Sequence, residues 1–155
     1  MMTKLPYANS FRDLIVYQKS RILAVEIYLF TKNFPRDESY SLVSQIRRSS
    51  RSIGAQIAEA WAKRRYEKHF LSKLTDADGE QLETQHWIAI ARDCGYILAD
   101  EALKFQERCE EIGRMLGSMM AKPSIFCGDE YNTVRESATP YFIHLDDSRK
   151  TEADY

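Results

Sequence analysis

The sequence predicts an all-α protein, an antiparallel up-down-up-down four-helix bundle followed by an irregular C-terminal tail. Its 155 residues include only 6 Gly and 4 Pro, too few turn formers for the closely spaced strands of a sandwich or a βαβ fold. Apolar residues recur at helical spacing in four separate stretches. The breaks between those stretches are short, so successive helices must lie side by side and reverse direction.

The first helix is announced by Ser10-Phe11-Arg12-Asp13, which has the spacing of a capping box. From Leu14 to Phe30 its apolar residues are Leu14, Ile15, Val16, Ile22, Leu23, Val25, Ile27, Leu29 and Phe30, and the stretch stops at Asn33-Phe34-Pro35. That set is too wide for one stripe, so it implies a second covered face. Pro35 opens the second helix with Asp37 and Glu38 at its start, where the dipole favours acids, and a heptad-like series follows at Leu42, Ile46, Ser49, Ile53, Gln56 and Ala60. The break to the third helix carries neither Gly nor Pro and is placed near Tyr66. Phe70, Leu71, Leu74, Ala77, Leu82, Ile88 and Ala89 then keep helical spacing up to Asp93-Cys94-Gly95, where Gly95 reads as the C′ residue of a left-handed cap. The fourth helix is the most regular: Leu98, Ala102, Phe105, Cys109, Ile112, Leu116 and Met119 alternate steps of four and three, and Pro123 closes it. Residues 1–123 thus form the bundle and 124–155 a tail, with Ile125 to Phe142 lying partly along a surface and the last residues disordered.

A chain of this length can bury a conventional core and needs no metal or disulfide to fold. Cys94, Cys109 and Cys127 are odd in number and form no CxxC pair, which argues against a secreted disulfide framework and a zinc ribbon and for reduced thiols in the cytoplasm. The first ten residues lack a cationic segment leading into an apolar run, and no stretch is long and apolar enough to span a bilayer. Neither export nor a membrane partner is expected.

Catalytic patterns are sparse. A di-iron bundle wants Glu-x-x-His on two helices and a lone Glu on each of the other two. Glu83-Thr84-Gln85-His86 supplies one such tetrad, and Glu26 and Glu59 could be lone carboxylates, but the fourth helix has Glu107 and Glu110 without a His. The cysteines share no spacing with His69, His86 or His144 that would mark a nucleophile and base. Gly-rich phosphate loops and the zinc and hydrolase signatures are lacking. No enzyme activity, cofactor, metal or small-molecule substrate is expected.

Charge is more informative. Overall the chain is near neutral, with a formal net charge of -1 and a pI near 6.3, so no global field draws it to nucleic acid. Locally, Ser41 to Phe70 holds seven bases (Arg47, Arg48, Arg51, Lys63, Arg64, Arg65, Lys68) against two acids, whereas Asp76 to Glu111 holds ten acids against three bases. In the heptad frame Arg47, Arg48 and Arg51 fall outside the Leu42/Ile46/Ile53 seam. Three readings fit them: a solvated face, a phosphate-binding stripe, or the basic half of a heterologous contact between copies of the chain.

The segments Ser44-Gln45-Ile46-Arg47-Arg48-Ser49-Ser50-Arg51-Ser52-Ile53, Gln56-Ile57-Ala58-Glu59-Ala60-Trp61, Lys63-Arg64-Arg65-Tyr66 and Leu82-Glu83-Thr84-Gln85, running on to Cys94-Gly95-Tyr96, carry a resemblance. The chain resembles the bacterial four-helix-bundle proteins encoded in intervening sequences of large-subunit ribosomal RNA genes. That family is similar in fold to the accessory variability determinant of diversity-generating retroelements, a pentameric barrel that binds a reverse transcriptase and nucleic acid. The resemblance implies a cyclic homo-oligomer, a pentamer, acting as a binding scaffold without catalysis. Its alternative is an accessory factor for a reverse transcriptase or RNA processing that lays the seven bases on phosphates of RNA or DNA. Gln45 and Glu59 on the second helix and Glu83, Thr84 and Gln85 on the third are polar residues near helical seams, expected to form an interhelical network that sets register.

Overall fold

A computed structural model describes residues 8–127 of the chain. Four helices dominate: α1 (Ile15–Thr31), α2 (Leu42–Ala62), α3 (Glu67–Asp93) and α4 (Ala99–Ala121). Short 3-10 turns at Phe11–Asp13, Arg36–Glu38 and Pro123–Ile125 flank them, and no strand occurs among the described residues. Each helix packs on the next in the chain, most extensively α2 on α3, while α1 meets α4 less closely than it meets α2.

The ends of the helices follow from local chemistry. The Ser10 box does form, with Asp13 Oδ2 accepting from the Asn9 and Ser10 amides at 2.9 and 3.0 Å. It closes a 3-10 turn rather than the helix expected there, because Leu14 is extended (φ -69, ψ 124) and α1 begins only at Ile15. Likewise Pro35 opens a separate 3-10 turn, and α2 starts at Leu42. Glu38 bridges the two, its carboxylate accepting from the Ser41 hydroxyl at 2.5 Å and the Leu42 amide at 3.2 Å, as an acid at a helix start should. The break near Tyr66 falls where expected, with Tyr66 as the extended N-cap of α3. Gly95, at φ 77, ends α3 in a Schellman motif: its amide donates to Arg92 and that of Tyr96 to Ala91, each at 2.9 Å.

Aromatic contacts tie the ends together. Phe105, Phe30, Phe34 and Tyr96 form a chain of ring contacts of 5.4 to 5.8 Å, and the Tyr96 hydroxyl donates to Glu38 Oε1 at 2.9 Å. The α1–α2 and α3–α4 connections therefore meet. Elsewhere Phe126 stacks on Phe70 at 5.7 Å, which seats the first tail residues against the start of α3. The expectations for tail residues 128–155 lie outside the described residues.

The core repeats the expected spacing with two corrections, Leu82 on α3 and Leu98, which is 72% exposed because it is the extended N-cap (φ -76, ψ 155) before α4 begins. In α4, Ala102, Cys109, Ile112, Leu116 and Met119 are buried, and in α2 so are Leu42, Ile46, Ser49, Ile53 and Ala60, whereas Gln56 is half-buried. On α3 the buried series is Phe70, Leu74, Ala77, Gln81, Thr84, Ile88 and Ala91. Leu82, expected inside, is 56% exposed, since it sits one residue off that four-three seam and so about 100° around the helix. Two polar side chains take the inner positions instead, and both are hydrogen-bonded, as burial requires. Gln81 Nε2 donates to Asp78 Oδ1 at 2.9 Å while its Oε1 accepts from Gln85 at 2.7 Å. The Thr84 and Ser49 hydroxyls pair across α3 and α2 at 2.9 Å.

Candidate functional site

The seven bases between Ser41 and Phe70 do not form one stripe. Arg48 reaches across to α3 and pairs with Glu80 and Glu83. Its guanidinium, with help from the Trp87 indole N–H at 3.1 Å, holds the Glu83 carboxyl below its usual range. Arg47 turns the other way: Nε donates to Thr31 Oγ1 at 2.8 Å and Nη2 to the Tyr28 carbonyl at 3.4 Å, with the guanidinium 4.7 Å from the centre of the Tyr28 ring. Arg51 lies over the same ring at 5.6 Å. One helical turn thus sends its arginines to two different neighbours.

The remaining four bases cluster about the α2–α3 connection. Arg64 stacks on Trp61 at 3.4 Å and donates to its carbonyl at 2.9 Å, and Arg65 lies 5.7 Å from the Tyr66 ring. Lys63 and Lys68 are exposed. From Arg47 to Lys63 the helix rises about 24 Å, so these four form a second basic locality rather than a continuation of the first.

The polar residues expected to set register are held in separate cross-links. Thr84 meets Ser49, Glu83 meets Arg48, and Glu59 accepts from Lys73 at 2.7 Å, the same ammonium donating to Gln56 at 3.3 Å. Gln85 bonds within α3, and Gln45 is exposed with no side-chain hydrogen bond among the described residues. Ser49, Gln81 and Lys73 complete these links. They carry no local signal, because their partners lie on another helix or sit at positions that an apolar count ignores.

The most uncommon surface is on α1. Ile15, Ile22, Val25 and Leu29 are 61, 56, 57 and 53% exposed, while Val16, Leu23 and Ile27 fill the core. The exposed four share one face, opposite the core, at the steps of seven, three and four residues of a coiled-coil seam. On one flank of this stripe, Lys19 pairs with Glu111 at 2.9 Å and Glu26 with Arg108, bridging α1 to α4. The other flank is a groove of 260 Å³ between α1 and α2, with Ser20, Ala24 and Gly54 as its small residues and Arg21, Tyr28 and Arg51 around them.

Comparison with known proteins places this architecture. The model of the 23S rRNA-intervening sequence protein family matches residues 12–118, from the first 3-10 turn through nearly all of α4. The chain belongs to this family. A crystal structure of a protein of unknown function from the S23 ribosomal protein family of Bacteroides thetaiotaomicron is similar to it, with 31% identity and a TM-score of 0.61 over 68% of this chain and 98% of that one. Among curated proteins none matches the chain.

In this 23S rRNA-intervening sequence protein the side chains with catalytic potential are dispersed. Glu83 is engaged by Arg48 and Trp87, His86 lies exposed with its ring edge against Trp87, and no group of three or more metal-ligating side chains gathers among the described residues. Cys109 is buried, and that burial, with a smaller push from Glu110, raises its thiol to about 12. Burial also raises Cys127, whereas Cys94 is exposed at the end of α3. No helix among the described residues is long and apolar enough to cross a membrane.

Proposed function

We propose that this protein is a non-enzymatic cytoplasmic scaffold that closes into a cyclic homo-oligomer, a pentamer by resemblance to the retroelement accessory protein. The observation that carries this reading is the exposed stripe of Ile15, Ile22, Val25 and Leu29 on α1. Contiguous apolar surface of this kind favours association, and the coiled-coil spacing suits another helix. A ring needs two unlike patches. Charge supports this: Glu107 and Glu110 on α4 make no ion pair among the described residues, nor do Lys63 and Lys68 beside α2. The test is absolute mass by light scattering on a sizing column. The native chain is expected near five times 18.1 kDa, and Ile22→Asp is expected to run as a folded monomer of unchanged helicity. A native monomer, or an Ile22→Asp protein of native mass, overturns the reading.

A second reading, nucleic-acid binding as an accessory to a reverse transcriptase or RNA processing, is favoured by one observation. Arg21, Arg47 and Arg51 beside the α1–α2 groove form no ion pair among the described residues, in contrast to Lys19, Arg48, Lys73 and Arg108 on the other seams. Their interaction with polyphosphates should weaken steeply as salt rises.

A further inference from the structure

Resting on that second reading, we propose that the surface of α1 and α2 around Tyr28 binds single-stranded nucleic acid, with phosphates on the cations about Tyr28 and a base stacked on Tyr40. Three positive groups surround one ring: Arg47 at 4.7 Å, Lys32 at 5.0 Å and Arg51 at 5.6 Å from the centre of Tyr28. Each is drawn to the ring face by cation–π attraction. Three without a paired carboxylate repel one another, and Arg47 and Arg51, four residues apart on α2, do so along the helix itself. The acids of α1 and α2 are engaged elsewhere: Glu26 faces Arg108 on the α4 side, and Glu59 lies at the far end of α2 with Lys73. A bound polyanion supplies the missing charge.

The geometry favours an extended strand over a compact phosphate. Arg51 belongs to two adjoining grooves, that of 260 Å³ with Arg21 and Tyr28, and one of 600 Å³ with Arg47, Ser44 and Tyr40. From Tyr40 to Arg51 the track runs about 16 Å, room for about five stacked nucleotides. Beyond the three cations gathered at Tyr28, Arg21 lines the smaller groove and Ser44 the larger, so the track extends past that one point. Arg47 is already oriented by Thr31 and the Tyr28 carbonyl, so little side-chain freedom is lost on binding. Tyr40, 97% exposed just before α2, has no packing role. An aromatic face beside a basic track is how sequence-tolerant single-strand binders hold a base. The apolar anchors that a protein partner would want sit on the adjoining α1 stripe, of which only Val25 reaches the smaller groove.

The test is fluorescence anisotropy with the full chain and labelled U12 and dT12, the two sources of a phosphodiester strand. Three phosphate contacts predict about a 20-fold loss of affinity between 50 and 200 mM salt. Arg51→Gln should lower the slope of log affinity against log salt by about 0.7. Tyr40→Ala should weaken binding about 5-fold or more with the slope unchanged. Both positions are exposed, so neither substitution threatens the fold, and circular dichroism checks that. Binding of either strand with both effects supports the proposal. Binding that ignores both substitutions overturns this site but leaves the nucleic-acid reading, which then moves to Lys63, Arg65 and Lys68. No binding of either strand at 50 mM salt overturns both. A changed oligomer mass in Arg51→Gln with unchanged strand binding assigns the cations to a subunit contact and also overturns the proposal.

Discussion

Glu38 is a half-buried charge on which two connections of the fold depend. Its two carboxylate oxygens take the Ser41 hydroxyl, the Leu42 amide and the Tyr96 hydroxyl, so one side chain caps α2 and ties it to the α3–α4 connection. Those donors, the Ser41 hydroxyl first, hold its carboxyl below the ordinary 4.5. A carboxyl whose folded value is depressed stabilises the fold above its unfolded value and loses that contribution as pH falls through the folded one. Glu38→Gln should therefore melt below the native protein at pH 7, with the gap closing below pH 4.5, as thermal melts at several pH values would show. A gap that stays constant down to pH 3 would rule out the carboxylate as its source. The acid was visible in the sequence as a favourable helix-start residue, but its bond to Tyr96, 58 positions away, was not.

Glycines separate the packed faces of the helices from the free ones. A Cβ built on Gly113 of α4 comes within 2.7 Å of Gln81 Nε2, and Gln81 cannot easily yield because Asp78 and Gln85 hold it. On Gly54 of α2 it meets Ser20 Oγ at 3.0 Å, where α1 crosses closely. Gly79 and Gly117 have nothing within 4 Å. Alanine at Gly79 or Gly117 should stabilise by about 0.5 to 1 kcal/mol through helix propensity, while Gly113→Ala should lower stability. Urea titration of the three single variants checks the ordering. Gly113→Ala as stable as Gly117→Ala would mean that α3 and α4 lie further apart than described. Helix spacing was legible for α4 because its apolar series is unbroken. It was less so for α3, where Gln81 and Thr84 hold inner positions and Leu82 faces out, because polar residues satisfied across an interface break the apolar count.

In the whole molecule, α2 and α3 share the most extensive interface, and α1 meets α4 only loosely while presenting apolar residues outward. Local stability follows buried contact. Amide hydrogen exchange should be slowest about Ile53, Ile57, Leu74 and Ile88, all nearly or wholly buried. The proposed assembly through α1 predicts faster exchange of the α1 amides in Ile22→Asp than in the native protein, with α2 and α3 little changed. Equal α1 exchange in both forms would argue that nothing covers that helix in solution.

Helix number, the turn at Tyr66 and the cap at Gly95 were readable because each rests on interactions within a few residues. Spacing, propensity and a positive φ at glycine act locally and survive in any arrangement of the bundle. Which side of α1 faces inward, and where each arginine goes, depended on how the helices are placed around one another. Arg47 and Arg48 are neighbours in the chain, yet one lies against Tyr28 of α1 and the other against Glu80 and Glu83 of α3. Successive residues of a helix diverge by about 100°, so their partners were chosen by the packing of three helices and not by their own side chains.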